Sequence, residues 1–322
     1  MKIYVPDYYK DFRCLAGDCK HSCCIGWEID IDEDTLDYYK SVEGEFGERL
    51  KNNISYNDET AYFAMDSCGR CPFLNEKGLC DIMINLGFDK VSQICDDHPR
   101  FRNFYSDREE IGLGMSCEAV AMQILARKEK FALEVMEEGE ELLWPEEEEF
   151  LDFRNQVFEI LTDRAVPTED RIEKLAERAE IDYKIYSPAQ QAELFSSLER
   201  LDTQWDSTLE QLKNCDANNI SLPENELYET ALEQLCVYFA FRHLTESLDD
   251  NRLKGRIGYI VHSYHLIKNL WAVSYTQNRS LTIEEMAEIC RAYSAETEYS
   301  PDNMEVLFEH LIKMNCQTKC NT

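Results

Sequence analysis

Apolar positions follow two different rhythms along this 322-residue chain. Beyond Ser116 they recur at three- and four-residue intervals, the period of amphipathic helix. Ser116 is placed to cap a helix reaching about Leu143, and Gly139, Pro145 and the run Glu146–Glu149 then mark a boundary. Phe150 to Arg164 is amphipathic and stops before Pro167, and Thr168 opens the next helix. Ser187-Pro-Ala-Gln190 and Thr282-Ile-Glu-Glu285 are capping boxes, the first with proline at the opening helical position. Further starts fall at Pro223-Glu224 and Ser300-Pro301. The stretches Leu227–Ser247 and Arg252–Thr276 carry large apolar side chains on every face, as central helices do.

Up to Cys117 the periodicity is weak, and Gly69, Pro72, Gly78 and Gly87 punctuate the chain. One helix is expected from about Asp34 to Lys51, capped by Asp32 or Asp34 and striped by Leu36, Tyr39 and Leu50. The pattern predicts a mainly α protein: a loop-rich cysteine-cluster region, residues 1–125, packed on a C-terminal helical bundle, residues 126–322, with 145 as the alternative boundary. Strands alternating with helices are not expected.

Charge narrows the partners. The chain has 33 Lys and Arg against 64 Asp and Glu, a net charge of −31. Such a surface repels nucleic-acid phosphates and anionic membranes and attracts cationic, lysine-bearing proteins. No basic segment followed by an apolar one opens the chain, and no run is long and apolar enough to span a bilayer, so a cytoplasmic location is expected.

Cysteine usage carries the chemistry. Nine of the fourteen cysteines lie in the first 117 residues, spaced C-x4-C-x3-C-C and then C-x2-C-x8-C-x14-C-x21-C. In a reducing compartment such a cluster binds soft metal more often than it cross-links, and a chain this long does not depend on disulfides. The candidate metal ligands are Cys14, Cys19, Cys23, Cys24, Cys68, Cys71, Cys80, Cys95 and Cys117. Spacing leaves tetrahedral zinc and a [4Fe–4S] cluster both open. Adjacent Cys23 and Cys24 point different ways, so one of them is expected to serve another role.

Other residues draw less. Arg100 and Arg102 have the forked shape that clamps a carboxylate, although ordinary ion pairing suits so acidic a chain. His262 and His265 share a helical face but lack a neighbouring ligand in sequence. Cys215, Cys236 and Cys290 read as small buried hydrophobes and Cys316-x3-Cys320 as incidental. Trp27, Tyr8-Tyr9 and Tyr38-Tyr39 are expected to cover the metal site. Asp66, Asp96 and Asp97 are carboxylates near the cysteine motifs.

Cys14-x4-Cys19-x3-Cys23-Cys24-Ile-Gly-Trp27, Cys71-Pro-Phe-Leu74 with Cys80, Cys95-x3-Pro99-Arg100 and Ser116-Cys117-Glu118-Ala119 together resemble the flagellin lysine N-methylase family, within a wider group of zinc- or iron-chelating cysteine-cluster proteins. The likeness covers roughly residues 4–125 and continues weakly in Val237-Tyr-Phe-Ala-Phe-Arg-His243. It implies an S-adenosylmethionine-dependent enzyme that methylates lysine ε-amino groups of flagellin, with a [4Fe–4S] cluster held by the N-terminal cysteines. Arg100 is the residue placed to bind the cosubstrate. The alternatives are a non-catalytic zinc- or iron-binding protein and a redox enzyme of the wider group. No glycine-rich strand-to-helix turn of the dinucleotide-binding kind is present, nor a C-x3-C-x2-C run.

Overall fold

A computed structural model describes residues 1–318 other than Glu28 and Glu59, with side chains as far as Lys313. Cys320 lies outside the described residues. About 56% of the chain is helical, in 14 α-helices among the described residues. The mainly α class therefore holds, and seven short strands join the helices.

The compact units are not consecutive in sequence. One comprises residues 1–12, 101–116 and 120–322, and the other 13–100 with 117–119. The cut falls near residues 12 and 100 rather than once near 125.

The larger, helical unit contains a four-stranded sheet of β1 (Lys2–Pro6), β5 (Arg100–Phe104), β6 (Arg108–Leu113) and β7 (Leu133–Glu137), in the order β5-β6-β1-β7. β1 runs parallel to β6, with Lys2 opposite Arg108 and Tyr4 opposite Glu110, and antiparallel to β7. The helix expected from Ser116 to Leu143 is consequently short. It is α5 (Glu118–Leu125), and Leu133–Glu137 leaves helix to complete the sheet edge. Backbone pairing with β1 overrides the local helical preference of a Leu-Glu-Val-Met-Glu segment.

The acidic run at 146–149 is not an interdomain boundary but the first turn of α6 (Pro145–Leu161), where carboxylates complement the helix dipole. There follow α7 (Thr168–Arg178), α8 (Pro188–Ser196), α9 (Thr203–Asn214), α10 (Glu226–His243), α11 (Ser247–Asp250), α12 (Leu253–Asn278), α13 (Ile283–Tyr293) and α14 (Pro301–Thr318). Both sequence-predicted capping boxes form, at Ser187 with Gln190 and at Thr282 with Glu285. α10 and α12 are buried on nearly all faces, which explains their lack of a polar stripe. Phe239, Tyr259, Trp271 and Tyr293 fill the core between them and α13. Two buried carboxylates are paired: Arg154 makes a two-pronged bond to Glu110 at 2.6 and 2.8 Å, and Glu233 takes Arg164 and Arg171, each at 2.8 Å.

The smaller, cysteine-bearing unit contains α1 (Glu33–Ser41), α2 (Gly44–Asn53), α3 (Asp81–Leu86) and α4 (Gln93–Asp97) with a sheet of β2 (Ile29–Ile31), β4 (Ala61–Phe63) and β3 (Ile54–Tyr56). The single helix expected over 34–51 is broken in two. Val42 is extended and Gly44 has φ of +81°, a left-handed backbone that glycine adopts without Cβ strain. Asp32 caps α1 through Thr35 N at 3.0 Å, as its position predicts. Ile29, Ile31, Tyr39, Leu50, Phe63 and Phe73 form the core.

Candidate metal centre

Three hydrogen-bonded loops bring cysteines to that core. Residues 24–26 lie against 69–71: Cys71 N donates to Cys24 O and Gly26 N to Gly69 O, both at 2.8 Å. Asp66 shapes the second of these segments by accepting from Cys68 N at 2.7 Å and Arg70 N at 3.0 Å. Those bonds hold its carboxyl below the usual range. A tighter loop follows. Asn75 accepts from Lys77 N and Leu79 N and donates to Asp81, Leu74 bridges Cys80, and Asp81 N returns to Phe73 O at 2.8 Å. α4 is tied to α1 by Gln93 N on Asp32 at 2.9 Å, and there the Ser92 hydroxyl donates to Cys95 Sγ at 3.4 Å.

The outcome is a partition of the nine cysteines. Cys71 belongs to the buried core, and Cys24, Cys80 and Cys95 pack against the same core while half-buried. Cys14, Cys23 and Cys68 are exposed. Cys19 stands apart beside Glu118, its Sγ 3.6 Å from the carboxylate, and senses Cys117. No disulfide joins the described cysteines. Among the described residues, no three His, Cys, Asp or Glu side chains already stand at the geometry of a single coordinated ion.

Electrostatics follows burial. The Cys71 thiol is pushed up to about 12 by burial and then by the neighbouring Cys24, Cys80 and Cys95 sulfurs. Burial likewise raises Cys95 to about 11, and Cys80. Cys24 is drawn down to about 7, first by its bond from Cys23, and Arg70 adds to this. In donor chemistry alone, an all-sulfur set suits a soft ion or an iron–sulfur cluster.

Other sequence candidates fall in different places. Tyr39 is fully buried beside Cys71, Cys80 and Cys95 and donates to Lys90 O. Trp27 donates to Cys23 O at 2.8 Å. Tyr8 does not cover them; it is buried in the helical unit under the Arg127 guanidinium, 4.9 Å from its ring. Arg100 donates to Asp96 O at 2.8 Å, capping the helix that carries Cys95, and Arg102 pairs with Glu109. Asp97 lines a cleft of about 310 Å³ with Asp30, Asp32, Thr60, Gln93 and Ile94. In the sequence Asp30 carries no signal and Asp32 reads only as a helix cap; the pairing of β2 with β4 and the docking of α4 bring them together.

His262 and His265 are buried on α12, where His262 packs against Tyr186, 5.4 Å between ring centres, and His265 stacks on Tyr183. Burial first, and then His265 and His310, lower His262 to about 4. They are core histidines. Cys236 and Cys290 are buried as expected, and Cys215 is half-buried.

Comparison with known proteins adds the decisive observation. Residues 113–319, more than half of the chain, match the family described as FliB lysine N-methylase C-terminal domain. The chain belongs to that family. As a FliB-type protein it is 28% identical over 136 residues to the lysine-N-methylases of Salmonella choleraesuis and Salmonella typhimurium, covering 40% of this chain and 33% of each relative. It is equally similar over 136 residues to the flagellar biosynthetic protein FliU of Salmonella muenchen, covering 79% of that protein. The matched stretch thus spans about a third of the two lysine-N-methylases. No solved structure matches the chain. The family match begins at residue 113, so it rests on the helical part and includes Cys117 alone of the nine N-terminal cysteines.

Proposed function

We propose that this protein transfers methyl groups from S-adenosylmethionine to lysine ε-amino groups of flagellin in the cytoplasm. In this reading an iron–sulfur cluster is bound through the N-terminal cysteines. The observation that carries the reading is family membership across residues 113–319, together with the lysine-N-methylase and flagellar names of the relatives. The net charge of −31 suits a lysine-bearing partner. No described helix is long and apolar enough to cross a membrane.

In the transfer, the sulfonium–methyl bond breaks as the nitrogen–methyl bond forms, leaving S-adenosylhomocysteine and one proton. Attack requires a neutral amine, whereas free lysine has a pKa near 10.4. The site must therefore desolvate the ammonium or accept its proton, which a carboxylate or a tyrosine can do. Asp97, in its cleft with Asp30 and Asp32, is the acceptor that the geometry favours among the acids near the cysteine motifs. Asp66 is already committed to two backbone amides. Arg100, whose Nη1 donates to Asp96 O, is the guanidinium assigned in this reading to the cosubstrate carboxylate. A bound [4Fe–4S] cluster would supply Lewis-acidic iron for the amine and carboxylate of the methionyl group.

The test is direct. The chain, purified anaerobically and kept reduced, is incubated with S-adenosylmethionine and flagellin, and the flagellin is weighed by mass spectrometry. Expected is a gain of about one methylene per modified lysine. Unchanged flagellin mass with an iron-loaded protein would overturn the methylase reading.

A further inference from the structure

We infer that the cavity between α9 and α13 anchors a primary alkylammonium, the lysine side chain of a protein partner, with Glu296 as the receiving carboxylate. The inference takes from the reading above only that the partner bears lysine, and it concerns binding rather than methyl transfer. The cavity measures about 520 Å³, within the range of small-ligand sites. It lies wholly in the helical unit, among the family-matched residues.

Its walls are held in place by buried hydrogen bonds. Asn303, itself buried, donates to Glu199 O at 2.9 Å and to Glu296 O at 2.7 Å, and accepts from Glu199 N at 2.7 Å. These bonds staple the approach to α9 against the π-helical turn Ser294–Glu298, a rare backbone form that recurs at functional sites. From that turn the Glu296 carboxylate accepts from Leu201 N at 3.0 Å and Asp202 N at 2.5 Å. Trp205, Arg291 and Glu296 line the cavity and are buried, whereas Thr203 and Ser207 in the same wall are exposed, so the cavity opens past them.

Charge identifies the occupant. Asp202, Glu288 and Glu296 bring three carboxylates to the wall, and Arg291 one guanidinium. Arg291 is engaged in a two-pronged bond to Glu288, at 2.8 and 3.0 Å. Arg200, whose charge also reaches Glu296, is held by Asp206 at 2.6 Å. Glu296 thus has no ion pair among the described residues although it is only 4% exposed, and buried charges are ordinarily paired. The amide dipoles at the start of α9 offset about half a charge, against the two carboxylates of Asp202 and Glu296. The remainder is negative. Burial raises the Glu296 carboxyl, and a cation beside it acts in the opposite direction. Two backbone amides leave its oxygens further lone pairs for the N–H groups of an ammonium. Trp205, Ile289 and Ala292 offer apolar wall to the four-carbon stem of a lysine. A quaternary ammonium is disfavoured, because it has no N–H to donate and is recognised by cages of several rings, whereas Trp205 is the single ring in this wall.

The test uses the full chain without added cosubstrate, so its failure and that of methyl transfer are read separately. Nα-acetyl-lysine N-methylamide is titrated into protein carrying isotope-labelled tryptophan, and the Trp205 indole signal is followed by NMR. Saturable binding in the range of about 1 mM is expected. The matching norleucine and ε-trimethyl-lysine compounds should bind at least about tenfold more weakly, since each lacks the charged N–H donor. Glu296→Gln should weaken lysine binding by about tenfold or more. Because that variant also alters the bonds to Leu201 N and Asp202 N, Ala292→Leu serves as a second one: it fills the cavity, leaves every charge in place and should abolish the shift at an unchanged thermal midpoint. Equal binding of the norleucine compound, unchanged affinity in either variant, or no saturable shift up to about 10 mM would overturn the site. Tighter binding of free lysine than of the blocked compound would overturn the protein-partner assignment.

Discussion

At the scale of single residues, the chemistry that sequence reveals best is that of unusual composition. Nine clustered cysteines are visible without any coordinates, yet which four face one core is not, because that depends on hydrogen bonds between loops some fifty residues apart. Buried charge is less legible still. Arg154 reads as a polar position of an amphipathic helix, but it is almost fully buried and its partner Glu110 lies on a distant strand. Tyr105 OH also accepts from Arg154, at 2.8 Å. Removing the carboxylate leaves a guanidinium inside without its counter-charge. Glu110→Gln is therefore expected to cost about 3–5 kcal/mol, measured by urea unfolding. A loss within about 0.5 kcal/mol, the range of ordinary surface changes, would show that the pair is not buried as described.

At the scale of elements, the sequence shows several helix starts that a side chain closes, although not those capped by Asp202 and Asn225. Ser187, Thr282 and Asp32 perform that role where their positions predict it. Helix interruptions and β7 were not readable, because the former depends on a close approach in space and the latter on a partner strand. The α1–α2 junction gives a test. A Cβ placed on Gly47 would stand 2.1 Å from the carbonyl oxygen of Val42, a backbone atom that cannot swing aside. Helix propensity alone predicts that Gly47→Ala stabilises by about 1 kcal/mol. The close approach predicts the opposite sign, and a lowered thermal midpoint of the purified variant would confirm it. A raised midpoint would mean that α2 is free to move away from Val42.

At the scale of the whole molecule, the sequence conveyed class, acidity and family likeness, and the family match fell on the helical part, where motif reading was weakest. Central helices such as α10 and α12 carry few local signals, since burial on all sides erases the polar–apolar contrast. Their burial has a consequence for pH. His262 is lowered to about 4 by burial and by its neighbours His265 and His310, and burial also lowers His243 and His265. In the unfolded chain each titrates near 6.5. Between pH 6.5 and 4 the unfolded chain therefore takes up protons that the folded chain refuses, so stability falls with falling pH across that window. Above it these groups have no effect. For His262 alone the loss approaches about 3 kcal/mol near pH 4. Denaturant midpoints taken between pH 7 and 4.5 should decline, and less steeply in His262→Leu; equal slopes would refute the account.

The strand β1 pairs with β6 across the entire intervening cysteine unit, Lys2 meeting Arg108. Folding kinetics inherit this arrangement, because a contact so distant along the chain must await closure of a long loop. Early ordering of residues 13–100, which form a compact unit of their own, shortens the effective loop, and a tenfold shortening lowers the closure cost by about 2 kcal/mol.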